Sequence, residues 1–270
     1  MTNDKHVIVG ADPWNKLRRY TPARIALGHA GTSMPTKPHL EFQLAHARAR
    51  DAVHHELDIP ALQGALQSRG YETILLHSSA ESRPHYLQRP DKGRRLDADS
   101  HATLEASPRP AEPYDVVFVI GDGLSALAIE ENAAKFLDAI MPSLVKDGWR
   151  MAPLSIVKEA RVAVGDEVGA ALGAKMVVIL IGERPGLSSP DSMGIYMTLN
   201  PRVAVTDESR NCISNIRPGA SATDHAAHRL LYLMTEARRR GLSGVKLKDE
   251  AAALPKAGPE SADNFLIDER

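Results

Sequence analysis

The chain of 270 residues has a single cysteine, Cys212, so it can form no internal disulfide, and its cysteine usage fits a reducing compartment. Aromatic residues make up only 4% of it, which leaves Ala, Val, Leu and Ile to build a core. Net charge is equally scarce. With 33 Lys and Arg against 34 Asp and Glu, the formal charge is −1, and no overall field draws the chain to nucleic acid or to an anionic membrane. Long apolar runs are missing too: the longest, Met176 to Ile181, is far too short to span a bilayer. The N-terminus MTNDKHVIVGADPWNKL has neither the basic start nor the apolar stretch of a signal peptide. A soluble, cytoplasmic protein is the expectation. One cysteine rules out a Cys-cluster metal site, and neither H-E-x-x-H nor the G-x-S-x-G elbow of hydrolases occurs.

What is present is an ordinary hydrophobic share of 43%, arranged in two grammars. In LEFQLAHARARDAVHHELD, the residues Phe42, Ala45, Ala49, Ala52, Val53 and Leu57 recur at helical spacing, and the apolar face they form must pack on another domain or chain. Residues 82–113 are polar and end in Pro-rich punctuation, which reads as an extended connection. From Tyr114 onward strands and helices alternate. Val116 to Ile120 is a buried strand, followed by a helical stripe of Ile129, Ala133, Phe136, Leu137 and Ile140. Strand signals recur at Ser155-Ile-Val, MVVILIG and MGIYMTL, with GDEVGAALGA helical between the first two. A last helix opens near Thr223, carries Ala227, Leu230, Leu231, Met234 and Ala237 on one face, and closes with Arg238 to Arg240 before Gly241. The expected fold is α/β: a Rossmann-like, doubly wound, mostly parallel sheet over residues 111–249. A helical and extended N-terminal region over 1–110 precedes it, and a loose tail over 250–270 follows.

Several short motifs invite chemistry. Gly121-Asp122-Gly123 with Ala126 fits G-x-G-x-x-A, the phosphate-cradling turn of dinucleotide-binding folds. Such a site needs an acidic residue at the end of the next strand, about 20 residues on. Asp138 falls within the helix and Asp147 precedes Gly148, so the partner is missing, and Asp122 brings negative charge to the loop. A tight strand-to-helix turn is the preferred reading over a nucleotide-dependent oxidoreductase. His54-His55-Glu56 lacks a second histidine at ligand spacing and reads as a polar helix face. Asp4-Lys5-His6 through Gly10 misses D-x-H-x-x-G, the cobalamin motif that supplies a histidine to cobalt, by one residue. More promising is Glu183, at the carboxyl end of the strongest strand and followed by the Pro185-Gly186 turn. The loop from Asp207 through Cys212 to Ile216 is rich in hydrogen-bonding side chains. The plain alternative is that Glu183 pairs with an arginine and Cys212 is a small hydrophobe.

Five longer blocks carry a resemblance. They are DPWNKLRRYTPARIALGHAGTSMPTKPHLEFQLAHARARDAVH, YLQRPDKGRRLDADS, DVVFVIGDGLSALAIEENA, IGERPGLSSPDSMGIYM and RNCISNIRPGA. In order and without a large gap, over about Asp12 to Lys248, they resemble the small (light) subunit of ethanolamine ammonia-lyase. The resemblance implies an adenosylcobalamin-dependent enzyme that converts ethanolamine to acetaldehyde and ammonia by a radical mechanism. The large subunit would hold the catalytic residues, so none is expected in this chain. The small subunit would cap the cobalamin at the interface, with the cofactor's own base still on cobalt and no metal ligand from this chain. It also implies three cobalamin contacts: Val162 of the block Arg161–Val164, Glu183 of GERPG, and Cys212 of NCISN. Partnership with the large subunit would account for the amphipathic N-terminal helix. Relatives reach an ethanolamine-using bacterial microcompartment through a leader, and the dozen or so residues before Asp12 show no amphipathic pattern of that kind. A purely structural assembly subunit is the remaining reading.

Overall fold

A computed structural model describes residues 9, 10, 12–21 and 23–251. The Asp4–His6 motif and nearly all of the expected tail lie outside the described residues. The strands are β1 (Thr73–His77), β2 (Val117–Gly121), β3 (Leu154–Lys158), β4 (Met176–Gly182), β5 (Met193–Leu199) and β6 (Arg210–Ile216). They form one mixed sheet in the order β1-β3-β2-β4-β5-β6. The first four strands in that order are parallel. β5 then turns back antiparallel on β4, and β6 runs antiparallel to β5.

The helices are α1 (Thr36–His54), α2 (Ile59–Gln67), α3 (Arg83–Gln88), α4 (Ala98–Ala106), α5 (Ala126–Lys146), α6 (Val164–Ala171) and α7 (Ala220–Arg240). Strand alternation splits the core in two. Phe118, Ile120, Ile156, Val178 and Leu180 pack on α2, α5 and α7. Val117, Val119, Val157, Val177 and Ile179 face the other way, onto α4 and α6. The strands are apolar throughout because helices cover both faces of the central sheet. Chain order along the sheet reverses at β2, since β3 lies on one side of it and β4 on the other. Ligands of open α/β sheets bind outside the carboxyl ends of strands at such a point.

Three regions depart from expectation, one of them the stretch Asp207 to Ile216, expected as a loop, which instead forms a 3₁₀ turn and β6. The sheet begins before residue 111, because Thr73–His77 is its edge strand beside β3. The polar stretch 82–113 is not extended: it holds α3 and α4, each opened by a side-chain cap, Ser82 accepting from the His85 N–H and Asp97 from the Ser100 N–H. α7 ends as read, with Gly241 left-handed at φ +69° and Arg238 to Arg240 in its last turn. Among the described residues α1 is barely covered. Its final turn buries Ala52, while Leu40 and Leu44 are 56% and 53% exposed. No helix among the described residues is long and apolar enough to cross a membrane.

Candidate functional site

The turn after β2 decides what the Gly121 loop can do. Gly123 has φ +59°, and a Cβ on it would come within 2.2 Å of the Gly182 carbonyl oxygen. Leu124 donates to that same oxygen at 2.9 Å. Ser125 caps α5 by accepting from the Ala128 N–H at 3.2 Å, and it donates to the Pro190 carbonyl at 2.6 Å. Chain from the end of β4 and from the β4–β5 connection therefore packs where a pyrophosphate would have to sit. The glycines serve close backbone packing rather than phosphate binding.

Asp122 does not project into this loop as the sequence suggested. It is buried and turned toward β3, where it accepts from the Glu159 and Ala160 N–H groups at 3.0 and 2.9 Å. Arg83, 4% exposed, joins it at 3.3 Å and Glu159 at 3.2 Å, and also donates to the Gly123 and Val53 carbonyls. One guanidinium thus ties the end of α1 and α3 to the carboxyl ends of β2 and β3. Two carboxylates share that one cation. Burial, with the Asp122 charge beside it, pushes the Glu159 carboxyl above its ordinary range. Glu159 also has left-handed backbone at φ +54°, an uncommon conformation for a residue with a side chain.

Next to this network a cavity of about 380 Å³ opens at the sheet's carboxyl edge, its wall including Tyr86, Arg161, Val162, Glu183, Arg184 and Tyr196. Val162 and Glu183 come together here, brought by the segment after β3 and by the end of β4. Glu183 is fixed by neighbours: its carboxylate accepts from Ser192 Oγ at 2.6 Å and from the Asn215 N–H at 3.2 Å. Gly194 leaves it room, since a Cβ there would lie 2.9 Å from its Oε1. The Asn215 donor is supplied by a bulge, in which β5 residues Met193 and Ile195 oppose Ile216 and Ile213 while Asn215 takes φ +64°. Among the described residues Glu183 has no arginine partner, and a carboxylate with about four lone-pair sites can take further donors.

Cys212 is not in the cavity wall. It lies across the ladder from Tyr196, which is, and its side chain is exposed. Burial, with the Glu183 charge nearby, pushes its thiol above the ordinary value. Burial and Cys212 likewise push the Tyr196 hydroxyl up, and burial does the same to Tyr86. Tyr86, Arg161, Arg184 and Tyr196 escaped the sequence reading, although Arg161 and Arg184 adjoin Val162 and Glu183 directly. His55 of the candidate metal motif contacts Glu130 at 2.9 Å, and among the described residues no group of three or more potential metal ligands comes together.

The model of the ethanolamine ammonia-lyase light-chain family matches residues 11–248. The chain belongs to that family. Similar curated relatives are ethanolamine ammonia-lyase small subunits. The protein from Ralstonia nicotianae is 56% identical over 270 residues, covering 98% of each chain. That from Azotobacter vinelandii is 55% identical with 96% of each chain covered, and one from Pseudomonas fluorescens is 55% identical with 95% covered. Since the matched region runs from before the 3₁₀ helix Pro13–Arg19 past the last strand and helix, family membership applies to the whole sheet and to α1 together.

Proposed function

We propose that the chain is the small subunit of an adenosylcobalamin-dependent ethanolamine ammonia-lyase and that it caps the cobalamin at a Rossmann-like, doubly wound sheet edge against the large subunit. One observation carries the reading: Val162 and Glu183 share a cavity wall at the carboxyl ends of β3 and β4, and Tyr196 in that wall neighbours Cys212. The residues suit the group. A corrin rim bears primary amides, and Glu183 retains acceptor capacity for their N–H groups. Val162 offers an apolar wall, and Cys212 and Tyr196 extend it across the open side of β5 and β6. The cavity is open and small, so it grips one edge of a large ring and leaves the rest to the partner.

When bound, the cofactor supplies the radical chemistry that takes ethanolamine to acetaldehyde and ammonia. This chain's residues bind and orient its edge and exclude water there, while the large subunit contributes the reacting residues. Leu40 and Leu44 on α1 support the same partnership, because nothing among the described residues covers them. The cytoplasm is the proposed location, with the microcompartment a further destination of the assembled enzyme. The test is cofactor affinity of the two-subunit complex. Glu183→Ala is expected to raise the Kd for adenosylcobalamin about 10-fold or more, the scale of a lost charge-assisted hydrogen bond. Unchanged affinity in an intact complex would point instead to a purely structural subunit.

A further inference from the structure

We propose that Arg161 is a cofactor-binding residue, the donor that complements Glu183 in holding a primary amide of the corrin rim. The inference rests on the cobalamin reading above and goes beyond its three contacts. Arg161 precedes Val162 and lines the same cavity as Glu183. Its guanidinium carbon sits 4.4 Å from the centre of the Tyr86 ring, and that ring has Arg83 at 5.0 Å as well. The platform is rigid. Tyr86 is fully buried and donates its hydroxyl to the Ala160 carbonyl at 2.9 Å.

The stem of Arg161 is fixed too. Its backbone N–H donates to the Gly93 carbonyl at 2.7 Å. Gly93 itself is pressed so close that a Cβ would lie 2.8 Å from the Tyr86 ring and 2.9 Å from Arg161 Cγ. Yet the Nε of this immobilised side chain is buried with no hydrogen-bond partner among the described residues. A buried donor without an acceptor costs about 1–3 kcal/mol and calls for a partner. Asp122 and Glu159 both pair with Arg83, whose Nη2 is likewise buried without a partner, and neither carboxylate hydrogen-bonds Arg161 among the described residues. Glu183 alone is the wrong complement for a primary amide, whose N–H₂ needs an acceptor and whose carbonyl needs a donor. Glu183 and Arg161, which both line this cavity, supply an acceptor and a donor.

The test uses the two-subunit complex and equilibrium titration with cyanocobalamin, followed by its visible spectrum, so that no turnover is needed. A parallel titration uses dicyanocobinamide, which keeps the rim amides and lacks the nucleotide phosphate. Two variants, Arg161→Met and Arg161→Gln, both remove the guanidinium, and assembly with the large subunit is checked by size-exclusion chromatography. Either assembled variant is expected to bind both corrinoids about 10-fold more weakly than wild type. Unchanged affinity for both would overturn the assignment. Weakening confined to cyanocobalamin would also overturn it, because Arg161 would then be reading the phosphate. If the wild-type complex binds neither corrinoid, this assignment and the cofactor reading beneath it both fall, whereas the other two outcomes remove the assignment alone.

Discussion

Glu159 shows most clearly how single residues at this edge trade stability for arrangement. Its carboxyl is raised above the ordinary 4.5 by burial and by Asp122, so the folded chain holds that proton more tightly than the unfolded one. A group of this kind contributes stability that is complete below about pH 4.5 and is lost as pH rises through the raised value. Glu159→Gln removes the penalty and leaves Arg83 its Asp122 and Gly123 partners. The expected outcome is a higher thermal midpoint than wild type at neutral pH, with the difference closing below about pH 4.5. A variant less stable than wild type at neutral pH would show that the Arg83 ion pair outweighs the burial. None of this could be read from sequence, since Arg83, Asp122 and Glu159 are far apart in the chain and only the fold unites them. The resemblance named Val162, Glu183 and Cys212, and the place of Glu183 after a strong strand singled it out as well; the structure brings Val162 and Glu183 to one cavity wall and leaves Cys212 outside it. Cys212 meets the site through Tyr196, a relation fixed by the β5–β6 register.

The elements that were legible are those with helical apolar periodicity or a continuous apolar run: α1, β2, α5, β3, α6, β4, β5 and α7. β1 escaped because an edge strand is half-covered, and Leu75 is 45% exposed. β6 escaped because its bulge puts core residues Ile213 and Ile216 three apart, which breaks the alternation of a strand. That same bulge presents the Asn215 N–H to Glu183, so the irregularity that hid the strand helps build the site. The β2–α5 turn was legible as a turn, but its function was not. Two alanine substitutions, Gly123→Ala in this turn and Gly148→Ala beyond the end of α5 as a control, separate backbone angle from packing. Gly148→Ala, at φ +67° with nothing within 4 Å of the new Cβ, carries only the dihedral cost of about 1 kcal/mol. Gly123→Ala adds the collision with Gly182, 2.2 Å away. The thermal midpoint is expected to fall a few degrees for the first and far more for the second. Equal losses would mean that the turn is not packed as described.

At the scale of the molecule, the chain is a mixed sheet covered on both faces at its centre and open at its β5–β6 end. Among the described residues α1 leaves Leu40 and Leu44 uncovered. Arg83 connects the two, since it holds the Val53 carbonyl at the end of α1 and the carboxylates beneath the cavity. Both unfinished surfaces are explained together if a larger partner covers them, with the cofactor's edge held in the cavity between. The central claim is that this chain contributes cofactor binding and no catalysis of its own. Ammonia release from ethanolamine tests it most directly, measured for the purified chain, for the chain co-expressed with the large subunit, and for each with and without adenosylcobalamin. Turnover is expected only when both subunits and the cofactor are present. Ammonia release by this chain alone, or by the large subunit with cofactor at the full rate of the complex, would contradict it.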